Sequence, residues 1–328
     1  MNKIKFILII LAFTTSCDIN ETKKNGKENS AKDNMENSGT AFIESAYDRK
    51  EVVYGRTLGT ALTMDIFTPR KGANGAAIVL PLIEGWYSEH TMIDPMIPVY
   101  IQPLVDRGYT VFAVIHGSNP KFSILENIEH IHRCIRFVRH NADKYGIDSG
   151  RIGMTGDSAG GHLSLMLGCG GSNGHLQAED SVDRESSIIQ ATVAFFPPTD
   201  FLNWGREGEI MLGNHPIVPL AGAFDFKKLN NETNAFESII DLEERKRIGR
   251  EISPINHVTE NCVPTLIVYG DKDDYIPTQQ SIIMIEKLKK FDIPSHLIVE
   301  KDGGHDELTI RAHINDAIDW FDKYLIKL

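Results

Sequence analysis

An α/β fold, a mostly parallel and doubly wound sheet with helices on both faces, is predicted by three features of this sequence. From about residue 50 onward, short apolar runs alternate with longer amphipathic stretches, and such alternation implies right-handed crossovers and a parallel sheet. Several apolar runs are continuous, as strands covered on both faces must be. The 328 residues, 41% of them hydrophobic, suffice for a large core without disulfide staples.

Glu51–Tyr54 and Leu62–Phe67 read as short half-buried strands joined through Gly55 and Gly59. Ala76–Ile83 (AAIVLPLI) and Tyr109–Ile115 (YTVFAVI) are buried strands. Between them a helical segment carries Val99, Leu104 and Val105 and stops at Gly108. Ile124, Ile128, Ile131, Ile135, Val138 and Ala142 keep the period of one helix face, closed by Gly146. Arg151–Thr155 follows as a strand, Ala159–Leu167 as a helix and Ile188–Phe196 as a strand. Pro264–Gly270, Thr278–Lys290, His296–Glu300 and Glu307–Leu325 then repeat strand and helix twice. Residues 200–262 break the rhythm and hold no strand pattern. A structureless loop of that length is improbable in a compact domain, so a helical cap insertion is expected there, with a long crossover remote from any site as the alternative.

Composition narrows the partners. A formal charge of −11 argues against a nucleic-acid surface, which needs a basic patch. Charged residues at 24% and 14 prolines exclude wholesale disorder, collagen and coiled coil. No apolar run reaches the roughly 18–20 residues that span a bilayer. Cys134, Cys169 and Cys262 each lie in or beside an apolar segment and are expected as buried free thiols. Without CxxC or a Cys/His pair at zinc spacing, no metal is expected.

The first forty residues serve delivery. Lys3 and Lys5 precede the apolar stretch Phe6–Phe13, too short to span and suited to a signal-peptide core. Thr14-Thr15-Ser16-Cys17 resembles the lipobox of bacterial lipoproteins, with Thr14 where Leu is usual. That resemblance implies a lipid on Cys17 and an exported protein attached to a bacterial membrane through it, on the periplasmic or cell-surface side. An ordinary secretory signal with an incidental cysteine is the alternative. Residues 18–41 are rich in Asn, Lys, Glu and Ser and cannot bury enough apolar surface to fold, so they read as a flexible tether. Removing 1–16 takes two lysines and no acids, leaving 32 basic against 45 acidic side chains and a charge of −13. Anionic lipid is therefore not expected as a partner of the domain over 42–328.

After the strand RIGMT comes Gly156-Asp157-Ser158-Ala159-Gly160-Gly161-His162 and then an apolar helix. This is G-x-S-x-G in a strand–turn–helix context. Such a turn strains its central residue, so the flanking positions must be small, and Gly156 and Gly160 are. The following helix aims unpaired N–H groups at the site. Of twelve histidines, His305 alone follows the last buried strand in a flexible loop, Asp302-Gly303-Gly304-His305. His162, one helical turn after Ser158, reads as a packing and hydrogen-bonding residue.

GDSAGGH, with YGIDSGRIGMT before it, resembles the α/β-hydrolase superfamily. Within it the sequence is similar to esterases of the hormone-sensitive-lipase-like and bifunctional feruloyl/acetyl xylan esterase-like groups, over about residues 50 to 325. The resemblance implies an α/β-hydrolase fold, ester hydrolysis, no cofactor, and a triad in the order serine, acid, histidine: Ser158 as nucleophile and His305 as base. Asp271-Lys272-Asp273-Asp274-Tyr275-Ile276-Pro277 is similar to the family's G-D-x-D-x-x-V-P loop, whose acid falls four residues before the proline, here Asp273. Asp271, Asp274 and Asp200 are rivals, Asp271 reading better as a loop cap. Where the family carries H-G-G-G-W, this chain has Leu82-Ile83-Glu84-Gly85-Trp86-Tyr87, keeping one glycine and the tryptophan. The oxyanion hole is assigned to the N–H of Ala159 and of Gly85 or Trp86. Glu84 opposes an oxyanion unless it turns away or meets a cation. Alternatively, Glu84, Tyr87 and His90 contact a polar acyl or sugar group. The expected substrate is a small-molecule or polysaccharide-derived ester, acetyl or feruloyl groups included. A serine exopeptidase of the same fold and a non-catalytic binding protein on the same scaffold are the rival readings.

Overall fold

The computed structural model describes residues 46–213 and 218–326. The chain divides into 1–43 and 44–328. The expected signal segment, its Cys17 and the tether lie outside the described residues.

An eight-stranded sheet forms the centre, in the order β1-β2-β4-β3-β5-β6-β9-β10. Its strands are β1 (Tyr47–Thr57), β2 (Thr60–Pro69), β3 (Ala77–Pro81), β4 (Thr110–Ile115), β5 (Ile152–Asp157), β6 (Ala191–Phe195), β9 (Thr265–Gly270) and β10 (Ser295–Glu300). The first two are longer than their apolar cores suggest. They pair antiparallel across the two-residue turn Leu58-Gly59, both at positive φ, the backbone a tight hairpin requires. β2 joins β4 antiparallel, and every later pairing is parallel.

The continuous apolar runs are explained by which way alternate residues face. Ala77 and Val79 of β3, with Phe112 and Val114 of β4, join one core cluster. Ile78, Leu80, Val111 and Ala113 join the other. The first face is covered by α3 (Ile124–His140) and α4 (Ala159–Gly170), with α6 (Gln279–Lys290) packed beside α4. The second is covered by α7 (Glu307–Phe321) and by α1 (Ile93–Met96) and α2 (Gln102–Asp106). A π-turn over Ile97–Ile101 links α1 to α2. Pro98 and Pro103 withdraw backbone donors there, which opens the α-helical ladder. Among the described residues no helix is long and apolar enough to cross a membrane.

Two expectations need correction. The insertion over 200–262 is not purely helical: besides α5 (Leu242–Glu251) it carries a hairpin of β7 (Lys227–Asn230) and β8 (Ala235–Ser238). The strands are only four residues each, KKLN and AFES, and largely exposed, so no apolar alternation marked them. Cys169 and Cys262 are not free thiols. They form a disulfide, with Cα atoms 4.2 Å apart and a sequence separation of 93, while Cys134 stays free and buried. The bond ties the end of α4 to the segment entering β9 and encloses the whole insertion. By chain entropy alone a loop of that length contributes roughly 4–5 kcal/mol. The Cys169→Ser/Cys262→Ser variant is expected to unfold at a clearly lower urea midpoint than the oxidised protein. Equal midpoints would show that the bond contributes nothing.

Candidate active site

β5 ends directly in Ser158, whose backbone sits at φ +50° and ψ −118°, a conformation held only where the surroundings enforce it. The enforcement is visible. Ser158 N–H donates to the Phe195 carbonyl at 2.9 Å, and the Ser158 carbonyl accepts from His162 N–H at 2.9 Å to start α4. A Cβ on Gly156 would stand 2.8 Å from the Gly160 backbone, and one on Gly161 would stand 3.0 Å from the Phe195 carbonyl oxygen. Alanine at either position pushes β5, β6 and α4 apart.

The loops after β9 and β10 meet through a second pair of glycines. A Cβ on Gly270 would lie 2.2 Å from the Gly303 carbonyl oxygen, and Lys272 N–H donates to that carbonyl at 2.9 Å. This approach brings Asp273 to His305. Asp273 Oδ2 accepts from His305 Nδ1 at 2.8 Å, and Oδ1 accepts from the N–H groups of Tyr275 and Ile276, each at 2.8 Å. The carboxylate side chain is 1% exposed and the imidazole 17%. Phe196 and Tyr275 pack on the imidazole with ring centroids 4.4 and 5.4 Å away. Neither aromatic was singled out from sequence; Tyr275 stands within the acidic loop and Phe196 at the end of a strand, where apolar residues look like core.

Ser158 and His305 thus border adjacent residues: Ser158 bonds to Phe195, and His305 packs on Phe196. The Asp273–His305 contact is closed. Among the described residues no hydrogen bond joins Ser158 Oγ to the imidazole, a contact that in unliganded sites often tightens only when substrate arrives. The rivals are occupied elsewhere. Asp271 Oδ1 accepts from Asp302 N–H at 2.7 Å, the capping role expected of it. Asp200 caps its own turn through Leu202 N–H and Asn203 Nδ2, and Asp274 is exposed. Asp157 is a carboxylate that sequence did not single out. It accepts from the Tyr100 hydroxyl at 3.2 Å, and burial raises its carboxyl, opposed by the nearby His305 and helped by Glu84.

Glu84-Gly85-Trp86-Tyr87 is a tight turn closed by Glu84 N–H to the Tyr87 carbonyl (2.8 Å) and the reverse bond (2.9 Å). Gly85 and Trp86 both have positive φ, 54° and 62°, as a two-residue hairpin turn demands. Asn119 grips it, donating from Nδ2 to the Gly85 carbonyl (2.9 Å) and from its backbone to the Trp86 carbonyl (3.2 Å). Because N–H and C=O of one trans peptide point opposite ways, drawing the Gly85 carbonyl toward Asn119 turns the Trp86 N–H away from it. Among the described residues the N–H groups of Gly85, Trp86 and Ala159 have no acceptor.

The Trp86 ring is pinned by His162. Trp86 Nε1 donates to His162 Nδ1 at 3.3 Å, and His162 Nε2 donates to the Ile252 carbonyl at 2.7 Å. Phe201 and Phe224 complete the cluster, which couples the turn, the elbow helix and the insertion. The expected role of His162 is thereby realised. Glu84 is exposed and meets no cation among the described residues. Tyr87 and His90 have partners of their own: the Tyr87 hydroxyl donates to Glu89 at 2.9 Å, and His90 Nε2 lies 3.3 Å from Asp65. Glu51, Asp65 and His90 form the one grouping of three possible metal-ligating side chains among the described residues, and Arg49 already pairs with Asp65 at 2.5 Å.

Burial pushes His162 down to about 4, and His116, His130 and His132 likewise. These imidazoles stay neutral in the fold while the unfolded chain protonates them below about 6.5, so the unfolded chain binds more protons there. Their contribution is complete above pH ~6.5 and is lost as the pH falls toward 4, by up to about 3 kcal/mol per histidine. The urea midpoint is expected to drop sharply between pH 7 and pH 4.5; a flat profile across that interval contradicts neutral burial.

The family model BD-FAE matches residues 64–288. Esterase LipC of Mycobacterium tuberculosis is 23% identical over 279 residues, covering 83% of this chain and 60% of LipC. The chain thus spans about half the length of the curated relatives it matches, from 39% to 60% of the first three. A truncated form of a carbohydrate esterase from gut microbiota superposes with a TM-score of 0.67 at 24% identity, over 85% of this chain and 97% of that one. An acetyl ester-xyloside bifunctional hydrolase from Caldicellulosiruptor lactoaceticus superposes with a TM-score of 0.62 at 19% identity, over 84% and 93%. At these identities the structural likeness establishes the shared α/β-hydrolase fold.

Proposed function

This chain belongs to the BD-FAE family, and from that premise we propose that it is a serine hydrolase of carboxylic esters. The observations that support the reading are an elbow serine held at positive φ against Phe195, and an Asp273–His305 pair closed at 2.8 Å whose imidazole packs on the adjoining Phe196. The Ser158 hydroxyl attacks the ester carbonyl while His305 Nε2 takes its proton. Asp273 holds the opposite Nδ1–H and stabilises the imidazolium. The imidazolium then protonates the leaving alcohol. Water, deprotonated by His305, attacks the acyl-enzyme and returns free acid and serine. The oxyanion is received by the N–H of Ala159 and of Gly85 or Trp86, which have no acceptor among the described residues. One such donor is typically worth about 3–4 kcal/mol.

Within esters, acetyl or feruloyl groups on polysaccharide fragments are the substrates we favour, supported by the carbohydrate esterase among the fold neighbours. Hydrolysis of p-nitrophenyl acetate, longer p-nitrophenyl esters, acetyl-xylan and amino-acyl arylamides tests this directly. Cleavage of arylamides with all esters untouched favours the exopeptidase reading, and cleavage of none favours a binding protein.

We also propose export with a lipid on Cys17. A disulfide persists in oxidising compartments, so the Cys169–Cys262 bond supports passage out of the cytosol. Cys17→Ser is expected to move the protein from the membrane to the soluble fraction. Continued membrane association of that variant counts against lipidation.

A further inference from the structure

Three arginines, Arg133, Arg136 and Arg139, stand three residues apart on α3, and two of them are fully engaged. Arg133 donates to Asp183 and Asp180 at 2.7 Å each and to the Tyr54 carbonyl at 3.1 Å. Arg139 donates to the carbonyls of Ser149, Ser186 and Ile188. Arg136 is different. It is 8% exposed, yet it makes one hydrogen bond, Nη2 to Ser172 Oγ at 3.1 Å. Its Nε has no partner, and among the described residues no carboxylate pairs with it. A guanidinium carries five donors, and burying one without an anion is costly.

Arg136 lines a cavity of about 1250 Å³ bounded by β1, α3 and the loop over 174–183. Tyr54 stands on the same lining, with its hydroxyl buried in the core and without a partner among the described residues. Neither Ser158, Asp273 and His305 nor the Gly85-Trp86 turn lines it. Arg133 is neutralised by two aspartates, whereas Arg136 and the exposed Arg56 on the same lining meet no carboxylate among the described residues, and of these two Arg136 is the buried one. The fork of a guanidinium matches a carboxylate in bidentate fashion. Exposed His175, Gln177 and Glu129 on the same lining offer polar groups to hydroxyls.

We propose that this cavity is a second binding site, separate from the catalytic residues, for a carboxylate-bearing polyhydroxy molecule whose carboxylate pairs with Arg136. Titration calorimetry with glucuronate, and with glucose as the uncharged control, tests it on the full chain. Wild type and Ser158→Ala are expected to bind glucuronate equally and saturably, and glucose at least tenfold more weakly. Arg136→Gln is expected to weaken glucuronate binding at least tenfold. Ala178→Trp, on the half-buried part of the same lining, narrows the cavity and is expected to weaken glucuronate binding at least tenfold while p-nitrophenyl acetate turnover stays at the wild-type rate. The proposal is overturned if wild type binds no glucuronate, if glucose binds as tightly, or if folded Ala178→Trp binds as wild type does.

Discussion

Ser158→Ala is expected to lower kcat for p-nitrophenyl acetate by about 10⁴–10⁶ with little change in KM, because loss of a triad nucleophile removes the covalent route altogether. The elbow itself should survive. Alanine adds no atom to a position whose φ of +50° is enforced by the Phe195 and His162 hydrogen bonds, so the variant should unfold at the wild-type urea midpoint. A residual rate well above that of water is still expected from the oxyanion donors. If Ser158→Ala turns over esters within tenfold of wild type, the acyl-enzyme mechanism is wrong and the elbow is a structural turn.

The second large effect is expected at Asp273→Asn, a change of one atom that should cost about 10³–10⁴ in kcat. Both carboxylate oxygens are in use. Oδ1 holds the N–H groups of Tyr275 and Ile276, and Oδ2 holds His305 Nδ1–H. An asparagine that keeps its oxygen on the loop must turn its NH₂ toward the imidazole. Two donors then face each other unless the histidine moves its proton to Nε2, where it can no longer accept from serine. Loop structure is thereby retained while the base is lost. Asp271→Asn is the matching control: among the described residues its carboxylate receives Asp302 N–H alone, so activity should stay within a few-fold of wild type. Similar losses in the two variants would place the acid elsewhere in the loop.

Local spacing made most of the framework legible. β3, β4, β6 and β9 announced themselves as apolar runs because both faces are covered, and α3 showed its period because only one face is. The elbow could be read because its glycines are demanded by contacts within a few residues, Gly156 against Gly160 above all. The hairpin over 227–238 was invisible for the opposite reason: its strands are exposed and carry no apolar pattern. The Cys169–Cys262 bond was equally hidden, since its partners are 93 positions apart and nothing local sets their distance.

For the site, residue types and their order along the chain led to Ser158, Asp273 and His305, with family resemblance choosing among the aspartates. What holds them is not local. Gly270 against Gly303, Phe196 on His305, Asn119 on the Gly85-Trp86 turn and His162 between Trp86 and Ile252 join segments that meet only in the folded chain. An α/β fold with a parallel sheet followed from alternating apolar runs, because burial on two faces constrains residues one by one. How Asp273 is held against the imidazole, and which buried arginine is left without an anion, was decided by tertiary structure. Those outcomes depend on hydrogen bonds between distant loops, and their distances are properties of the packed core rather than of any stretch of sequence.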